Sequence, residues 1–214
     1  MKVFFLRVSH MLTGLVLYAL GIVITIKANI GYAPWEVFHV GLADTAGLSI
    51  GTASIIAGTA IVITVTALGE KFGLGTIASM VLTGVFIDII LLTGLIPAAE
   101  NLPAGMMMLI AGLFTISIGS YFYMKSAFGV GPRDNLMVVL ARRTGLPAGV
   151  CRSIAEVSVT LIGWLLGGMV GIGTIVSVIA IGSCIQITFR ALKFDVTAIK
   201  HETLRDTYTS LRRH

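Results

Sequence analysis

Two short stretches of this sequence carry side chains that are well suited to binding a ligand. Residues 31–41 read GYAPWEVFHVG and residues 129–139 read GVGPRDNLMVV, and the second stretch lies 98 residues after the first. In each stretch a proline can begin a short helix, which we predict over about 34–45 and 132–143. The backbone N–H groups and the positive dipole at the start of such a helix can hold an anionic group.

The composition indicates which kind of secondary structure holds these two stretches in place. The chain is 56% hydrophobic and 12% charged, with a mean hydropathy of +0.98, whereas an ordinary soluble domain has about 25% charged residues. Its net charge of +5 lies mostly outside the apolar runs, so it bears on orientation in the membrane and not on a nucleic-acid partner. The long apolar runs themselves indicate the lipid bilayer as a partner. We predict an all-α membrane protein with six transmembrane helices, over about 6–28, 50–68, 73–95, 105–127, 148–167 and 172–191.

Neither short helix is long enough to span a bilayer. Two locations relative to the membrane are therefore considered for them. Trp35 is typical of an interfacial helix at the level of the lipid headgroups. The alternative is a re-entrant half-helix whose first turn points into a polar cavity. Glu36 and His39 lie three residues apart on one helical face. Glu36 and Asp134 can equally cap the N–H groups of their own helices.

An acidic residue inside an apolar span is costly, and by default it is a functional-site hypothesis. Asp88 lies in the third predicted span, past its middle toward the outer side, and we predict that it couples transport to a proton or an ion. The alternative for Asp88 is an ion pair with Lys27 or with protonated His39. Glu156 follows Arg152 by four residues, and for these two we predict an ion pair near the inner surface.

The candidate site residues form two clusters, which we predict to bind a solute or to gate its path. The outer cluster contains Lys27, Trp35, Glu36, His39 and Asp88. The inner cluster contains Lys125, Arg133, Asp134, Asn135 and Gln186. We find no metal-ligand spacing and no nucleophile elbow in the sequence. The prediction is therefore a protein that is not an enzyme and that has no metal site and no cofactor.

The sequence repeats itself at an offset of 98 residues, without a gap, from about residue 13 to residue 92. GLSIG at 47–51 matches GLPAG at 145–149, and GLGTIAS at 73–79 matches GIGTIVS at 171–177. Each copy holds three predicted spans, so the second copy must cross the membrane upside down. We predict two inverted three-helix repeats, each with an interfacial or re-entrant short helix after its first span. The predicted division is a first repeat at 1–96, a linker at 97–104, an inverted repeat at 105–191 and a basic tail at 192–214.

Individual residues also predict how some of these helices pack and where one of them begins. Gly14 with Gly21, and Gly112 with Gly119, lie seven residues apart and predict faces of close helix packing. Ser49 is a predicted N-cap for the second span.

Basic residues in short loops predict the orientation of a membrane protein. They concentrate in the N-terminal segment, in residues 125–152 and in the C-terminal tail, whereas residues 27–50 are acidic overall. These three basic segments fall on one side of a chain with six spans. We predict a multi-pass protein of the cell membrane with both termini in the cytoplasm.

The sequence resembles the YczE/YyaS/YitT family of bacterial integral membrane proteins. The resemblance is carried by IGYAPWEVFHVGLADTAGLSIGTASI at 30–55 and GLGTIASMVLTGVFIDIILL at 73–92, with their echoes in the second repeat. It implies a membrane protein that is concerned with transport of an unspecified substrate. It brings no catalytic residue and no cofactor.

Two classes of function fit these features. The first is a secondary transporter or exporter that moves a small polar or amphiphilic solute by alternating access, since inverted repeats are typical of such proteins. The second is a substrate-capture subunit or accessory protein of a larger membrane transport complex. The partners expected for the first are the solute, a coupling ion (H+ or Na+) and a second copy of the chain in a homodimer.

Overall fold

The computed structural model describes residues 2–70, 72–129, 131–146 and 148–194. The residues of the predicted basic tail from 195 onward lie outside this part of the chain. The described part is helical, and its helices are α1 (Lys2–Lys27), α2 (Pro34–Ala46), α3 (Ile50–Ala67), α4 (Leu74–Thr93), α5 (Leu102–Lys125), α6 (Pro132–Thr144), α7 (Ala148–Leu165) and α8 (Ile172–Ala191).

Five of these helices, α1, α3, α4, α5 and α8, are long and apolar enough to cross a membrane. The remaining predicted span, over about 148–167, corresponds to α7, which is counted over Gly149–Leu165 and is slightly too short to qualify by itself. It qualifies only together with α6, as a pair bent by 118° between Pro132–Thr144 and Gly149–Leu165. Within the described residues, the protein is therefore all-helical, with five to six candidate spans.

The ends of the short helices follow the local sequence as predicted. Pro34 and Pro132 occupy the first turns of α2 and α6, where the missing N–H of proline removes no helical hydrogen bond. Gly47 and Gly145 end these helices with φ of 66° and 72°, a left-handed conformation that glycine adopts without strain. Ser49 caps α3, because its side chain accepts a hydrogen bond from the Thr52 N–H.

The helix bounds themselves repeat at the offset found in the sequence. Helix α2 corresponds to α6, α3 to α7 and α4 to α8, with both ends of each helix displaced by 98 residues. Two loop contacts also correspond. The Gly75 N–H donates to the Phe128 carbonyl at 2.9 Å, and the Gly173 N–H donates to the Ile30 carbonyl at 2.8 Å. Each loop after a first span therefore contacts the start of the last helix of the other repeat.

Helices α1 and α5 form the centre of the bundle and run antiparallel. A Cβ atom on Gly14 would lie 2.8 Å from the Gly119 carbonyl oxygen, and one on Gly21 would lie 2.8 Å from the Gly112 carbonyl oxygen. Such backbone approach requires glycine, because real Cβ contacts are longer. The two predicted glycine faces are confirmed, and they face each other.

The two ends of the bundle differ in which chain segments meet there. At what we call the terminal end, Arg7 Nε donates to the Ser126 carbonyl at 2.8 Å, and the rings of Tyr121 and Phe194 lie 4.9 Å apart. At the opposite end, the Ala99 N–H donates to the Lys27 carbonyl at 2.8 Å. Both ends of the described chain therefore lie at the terminal end.

The α3–α4 pair of the first repeat and the corresponding α7–α8 pair of the second repeat pack differently. In the first repeat, a Cβ atom on Gly84 of α4 would lie 2.5 Å from the Gly51 carbonyl oxygen of α3. Their counterparts in the second repeat, Gly149 and Gly182, have no described atom within 4 Å of a Cβ position. Helix α7 packs against α2 instead, and α8 packs against α5. The α3–α4 pair is thus closed, while α7 and α8 stand apart.

Candidate functional site

A cavity of about 360 Å³ lies inside the bundle. Its walls come from α1, α3, α4, α5, α7 and α8, together with the first turns of α2 and α6. Met124 in the last turn of α5 and Phe189 near the end of α8 also line it, and both belong to the terminal end. Among the described lining residues, none comes from the loops of the opposite end. The cavity therefore extends from the middle of the bundle toward the terminal end.

The first turns of the two short helices meet at this cavity. Arg133 Nη2 of α6 lies 3.5 Å from Glu36 Oε1 of α2, and the Glu36 side chain is only 6% exposed. The same guanidinium lies over the Trp35 ring, 4.8 Å from its centroid, within the range of a cation–π interaction. An ion pair and a stacked pair therefore join the first turns of α2 and α6.

The charges of this cavity are arranged in pairs. A buried carboxylate is strongly destabilising unless a cation or hydrogen-bond donors accompany it, and Arg133 supplies that cation to Glu36. On α7, Arg152 Nε lies 2.9 Å from Glu156 Oε1, which confirms the predicted i,i+4 pair. Both arginines line the cavity, so a solute would meet cations whose charge is already balanced.

One buried polar atom at the cavity, Nδ1 of His39, has no hydrogen-bond partner within the described chain. The His39 side chain is 2% exposed. Native structures satisfy the large majority of such atoms. A polar ligand in the cavity would supply the missing partner.

The remaining wall is mixed in character. Hydroxyl side chains come from Ser54 on α3, from Ser79 and Thr83 on α4, and from Ser120 on α5. Between them lie apolar side chains that include three methionines, which adapt to differently shaped ligands. The cavity therefore suits a small solute with both polar and apolar parts. Sequence reasoning missed these hydroxyl groups, although the four-residue spacing of Ser79 and Thr83 places both on one helical face.

The structure divides the predicted outer cluster. Trp35 and His39 line the cavity together with Arg133 from the predicted inner cluster, and Glu36 lies beside the cavity in contact with Arg133. Asp134, also from that cluster, lines the same cavity. Lys27 instead lies in the last turn of α1 at the opposite end. The site thus combines members of both predicted clusters.

Asp88 lies outside this cavity and contacts the start of α3. Its Oδ1 accepts a hydrogen bond from the Gly51 N–H at 2.8 Å, and its Oδ2 accepts one from the Ser49 hydroxyl at 2.5 Å. These bonds satisfy N-terminal groups that α3 cannot satisfy itself. Asp88 therefore fastens α3 to α4, and its contacts are with Ser49 and Gly51 rather than with the predicted Lys27 or His39.

The other predicted inner residues have separate positions. Lys125 is exposed, and its Nζ donates to the Tyr121 hydroxyl at 3.0 Å. Asn135 lies in the first turn of α6, where its N–H donates to the Gly131 carbonyl at 3.1 Å. Gln186 is an exposed residue of α8. None of these three side chains lines the cavity described here.

The fold and the cavity define a multi-pass membrane protein with a polar, internally paired site. The chain belongs to the family described as "Family of unknown function (DUF6198)", which it matches over residues 5–190. No solved structure gives a significant match to the chain.

Its curated relatives are bacterial. The chain is 33% identical over 180 residues to "Uncharacterized membrane protein YczE" of Bacillus subtilis (strain 168), covering 83% of this chain and 82% of the relative. It is 32% identical over 179 residues to an "Uncharacterized protein" of Haemophilus influenzae, covering 84% and 81%. It is 28% identical over 173 residues to "Uncharacterized protein YyaS" of Bacillus subtilis, covering 77% and 83%. The YczE and YyaS relatives confirm the resemblance that the sequence motifs indicated.

Proposed function

We propose that this protein is a secondary transporter or exporter that moves a small amphiphilic solute across the cell membrane by alternating access. The observation that carries the proposal is the cavity at the junction of the two repeats, which reaches the terminal end and not the opposite end. A solute site that is accessible from one side at a time is what alternating access requires.

An inverted arrangement of the two repeats supports this function. Their helices correspond in order and bounds, and three spans in each repeat reverse the direction of the second. In this arrangement α2 and α6 are re-entrant half-helices that enter from opposite sides. Their first turns meet through Arg133 and Glu36, near the middle of the bundle, where transporters of this type bind their substrates.

The difference between the repeats supports two exchanging conformations. In this structure Gly51 and Gly84 are in contact, whereas their counterparts Gly149 and Gly182 are apart. Because the two repeats have corresponding glycines at these four positions, a second conformation can bring α7 and α8 together and separate α3 from α4. That exchange closes the terminal end of the cavity and opens the opposite end.

We propose that the terminal end faces the cytoplasm, on the strength of the basic residues in residues 125–152. Single cysteines at positions 45 and 143, in a protein without Cys151 and Cys184, test this arrangement. We expect an impermeant thiol reagent to label position 45 from outside and position 143 from inside. Labelling of both positions from the same side would contradict the inverted repeats.

Transport itself can be tested in liposomes that contain only this protein. A thermal-stability screen of small amphiphiles first identifies a ligand, since a ligand that binds the folded state raises its apparent stability. We then expect a gradient of that ligand to produce flux, accompanied by movement of a proton or an ion. Binding without flux in the purified protein would instead favour a substrate-capture subunit of a larger complex.

A further inference from the structure

We propose that Glu36 is a proton-binding site beside the cavity, and that a proton on its carboxylate breaks the ion pair with Arg133 while the stack of Arg133 on Trp35 remains. The inference rests on the proposed function only for the use of this proton in coupling. The proton site itself is defined by side-chain geometry and can be tested without a solute.

The ion pair of Glu36 is buried and loose. The Glu36 side chain is 6% exposed, and Oε1 lies 3.5 Å from Arg133 Nη2, which is longer than the 2.7–3.2 Å of an ordinary N–H···O hydrogen bond. A buried carboxylate needs close, well-aligned donors to remain favourable as an anion. The other contact of the Glu36 carboxylate is a hydrogen bond from its own backbone N–H. A proton on Glu36 therefore breaks only a long contact to another helix.

Arg133 has other contacts that remain when Glu36 is neutral. Its guanidinium stays over Trp35 at 4.8 Å, its side chain is 27% exposed, and it lines the cavity. The released cation is therefore neither dry nor isolated, and it becomes available to an anionic part of a solute. Proton binding at Glu36 and solute binding at Arg133 are linked in this way.

Charged and titratable side chains from five elements surround the cavity next to Glu36. They are His39 on α2, Tyr18 on α1, Tyr123 on α5, Arg133 and Asp134 on α6, and Arg152 and Glu156 on α7. Among the helices that pack against α2, α3 contains no ionisable residue. The ionisable residues of α8 are Cys184 and Arg190. Cys184 packs in a core with Leu109 and Leu113, and Arg190 lies in the last turn.

These neighbours favour a proton over a metal ion. Sodium and other hard cations need several oxygen ligands, whereas the cation partner of Glu36 is a guanidinium that would repel a second cation. No group of three or more His, Cys, Asp or Glu side chains is placed to bind a metal in the part of the chain that the structure describes. Buried carboxylates next to arginine and histidine are typical of proton relays in membrane proteins.

Asp88 differs from Glu36 in that two hydrogen-bond donors contact its carboxylate. Both of its oxygens accept hydrogen bonds, from the Gly51 N–H and from the Ser49 hydroxyl. These donors connect Asp88 to the start of α3, away from Arg133 and Trp35. Asp88 is thus the matched acidic control for Glu36.

Fluorescence of Trp35 reports on this site directly, because the ring contacts Arg133. The chain has two tryptophans, and Trp164 is 58% exposed on α7. In W164F protein in lipid nanodiscs, we expect one pH-dependent change in Trp35 emission between about pH 4 and pH 9. Adding E36Q should abolish the change, and adding E36D should keep it with a shifted midpoint. Adding D88N should leave the midpoint unchanged.

His39 is the rival group, since its ring lies 6.5 Å from the Trp35 ring. W164F protein that also carries H39Q should keep the transition if Glu36 is the site. A transition that is lost in H39Q and kept in E36Q would assign the proton to His39 and overturn the proposal. A flat titration of folded W164F protein would do the same. If E36Q does not fold, the midpoint shift in E36D decides. Solute flux is not measured, so a failure here leaves transport to its own test.

Discussion

At a pH above the Trp35 transition, where Glu36 is ionised, replacing Arg133 with methionine is expected to lower the free energy of unfolding by about 3–5 kcal/mol, because it leaves the buried carboxylate without its cation. The Glu36 side chain is 6% exposed, and Arg133 is the cation that contacts it. Methionine preserves much of the aliphatic length of arginine, so the loss is mainly one of charge. The midpoint of thermal unfolding in detergent measures the effect.

A second arginine of α6 provides the control. Arg142 pairs with Glu70, but its side chain is 68% exposed, and exposed ion pairs contribute only about 0–1 kcal/mol. We expect R142M to unfold close to the unchanged protein. The double variant R133M/E36Q should recover much of the stability that R133M loses, because no charge then remains unpaired. Equal effects of R133M and R142M would contradict a buried, stabilising pair at the junction of α2 and α6.

The second large effect is expected at a pair of glycines that correspond in the two repeats. G84A introduces a Cβ atom 2.5 Å from the Gly51 carbonyl oxygen, so α3 and α4 must move apart. Overpacking of this kind costs about 1–3 kcal/mol. G182A introduces the same atom where nothing described lies within 4 Å, and glycine to alanine inside a helix can stabilise by about 0.5–1 kcal/mol. Thermal unfolding of the two variants should therefore differ in sign.

Alternating access adds a second expectation for this pair. The conformation that closes α7 on α8 needs close approach at Gly182, so G182A should reduce solute flux severalfold although the protein is not destabilised. G84A should disfavour the conformation described here and shift labelling of a cysteine at the opposite end. Unchanged flux in G182A would count against exchange of the two helix pairs. Equal destabilisation by G84A and G182A would count against the difference in packing itself.

Much of the local architecture could be predicted from the sequence, because short-range rules govern it. Pro34 and Gly47 delimit α2 since proline begins a helix and a left-handed glycine ends one. Gly14 and Gly119 indicated close packing, since only glycine allows backbones to touch. The i,i+4 pair of Arg152 and Glu156 followed from helical geometry alone.

The grouping of the site residues could not be predicted in the same way. Charge and position along the spans placed Glu36 with Asp88 on one side and Arg133 on the other. That reasoning grouped the residues by side of the membrane, although the re-entrant alternative already allowed the first turns to reach a cavity. In the structure the first turns of α2 and α6 both reach the interior, so Glu36 contacts Arg133 of the other repeat. Asp88 instead accepts a hydrogen bond from the Gly51 N–H at the start of α3.

The sequence by itself determined that this is a helical membrane protein with a repeat of 98 residues, because apolar length and residue identity are read along the chain. It also determined where the helices begin and end, because caps act over a few residues. Only the tertiary structure decided which charges are partners, since Glu36 and Arg133 are far apart in sequence and their distance depends on how α2 and α6 pack. It also decided that α3 and α4 are closed while α7 and α8 are apart. Corresponding glycines can thus be in contact in one repeat and apart in the other, because contact between helices depends on tertiary packing and not on the glycines alone.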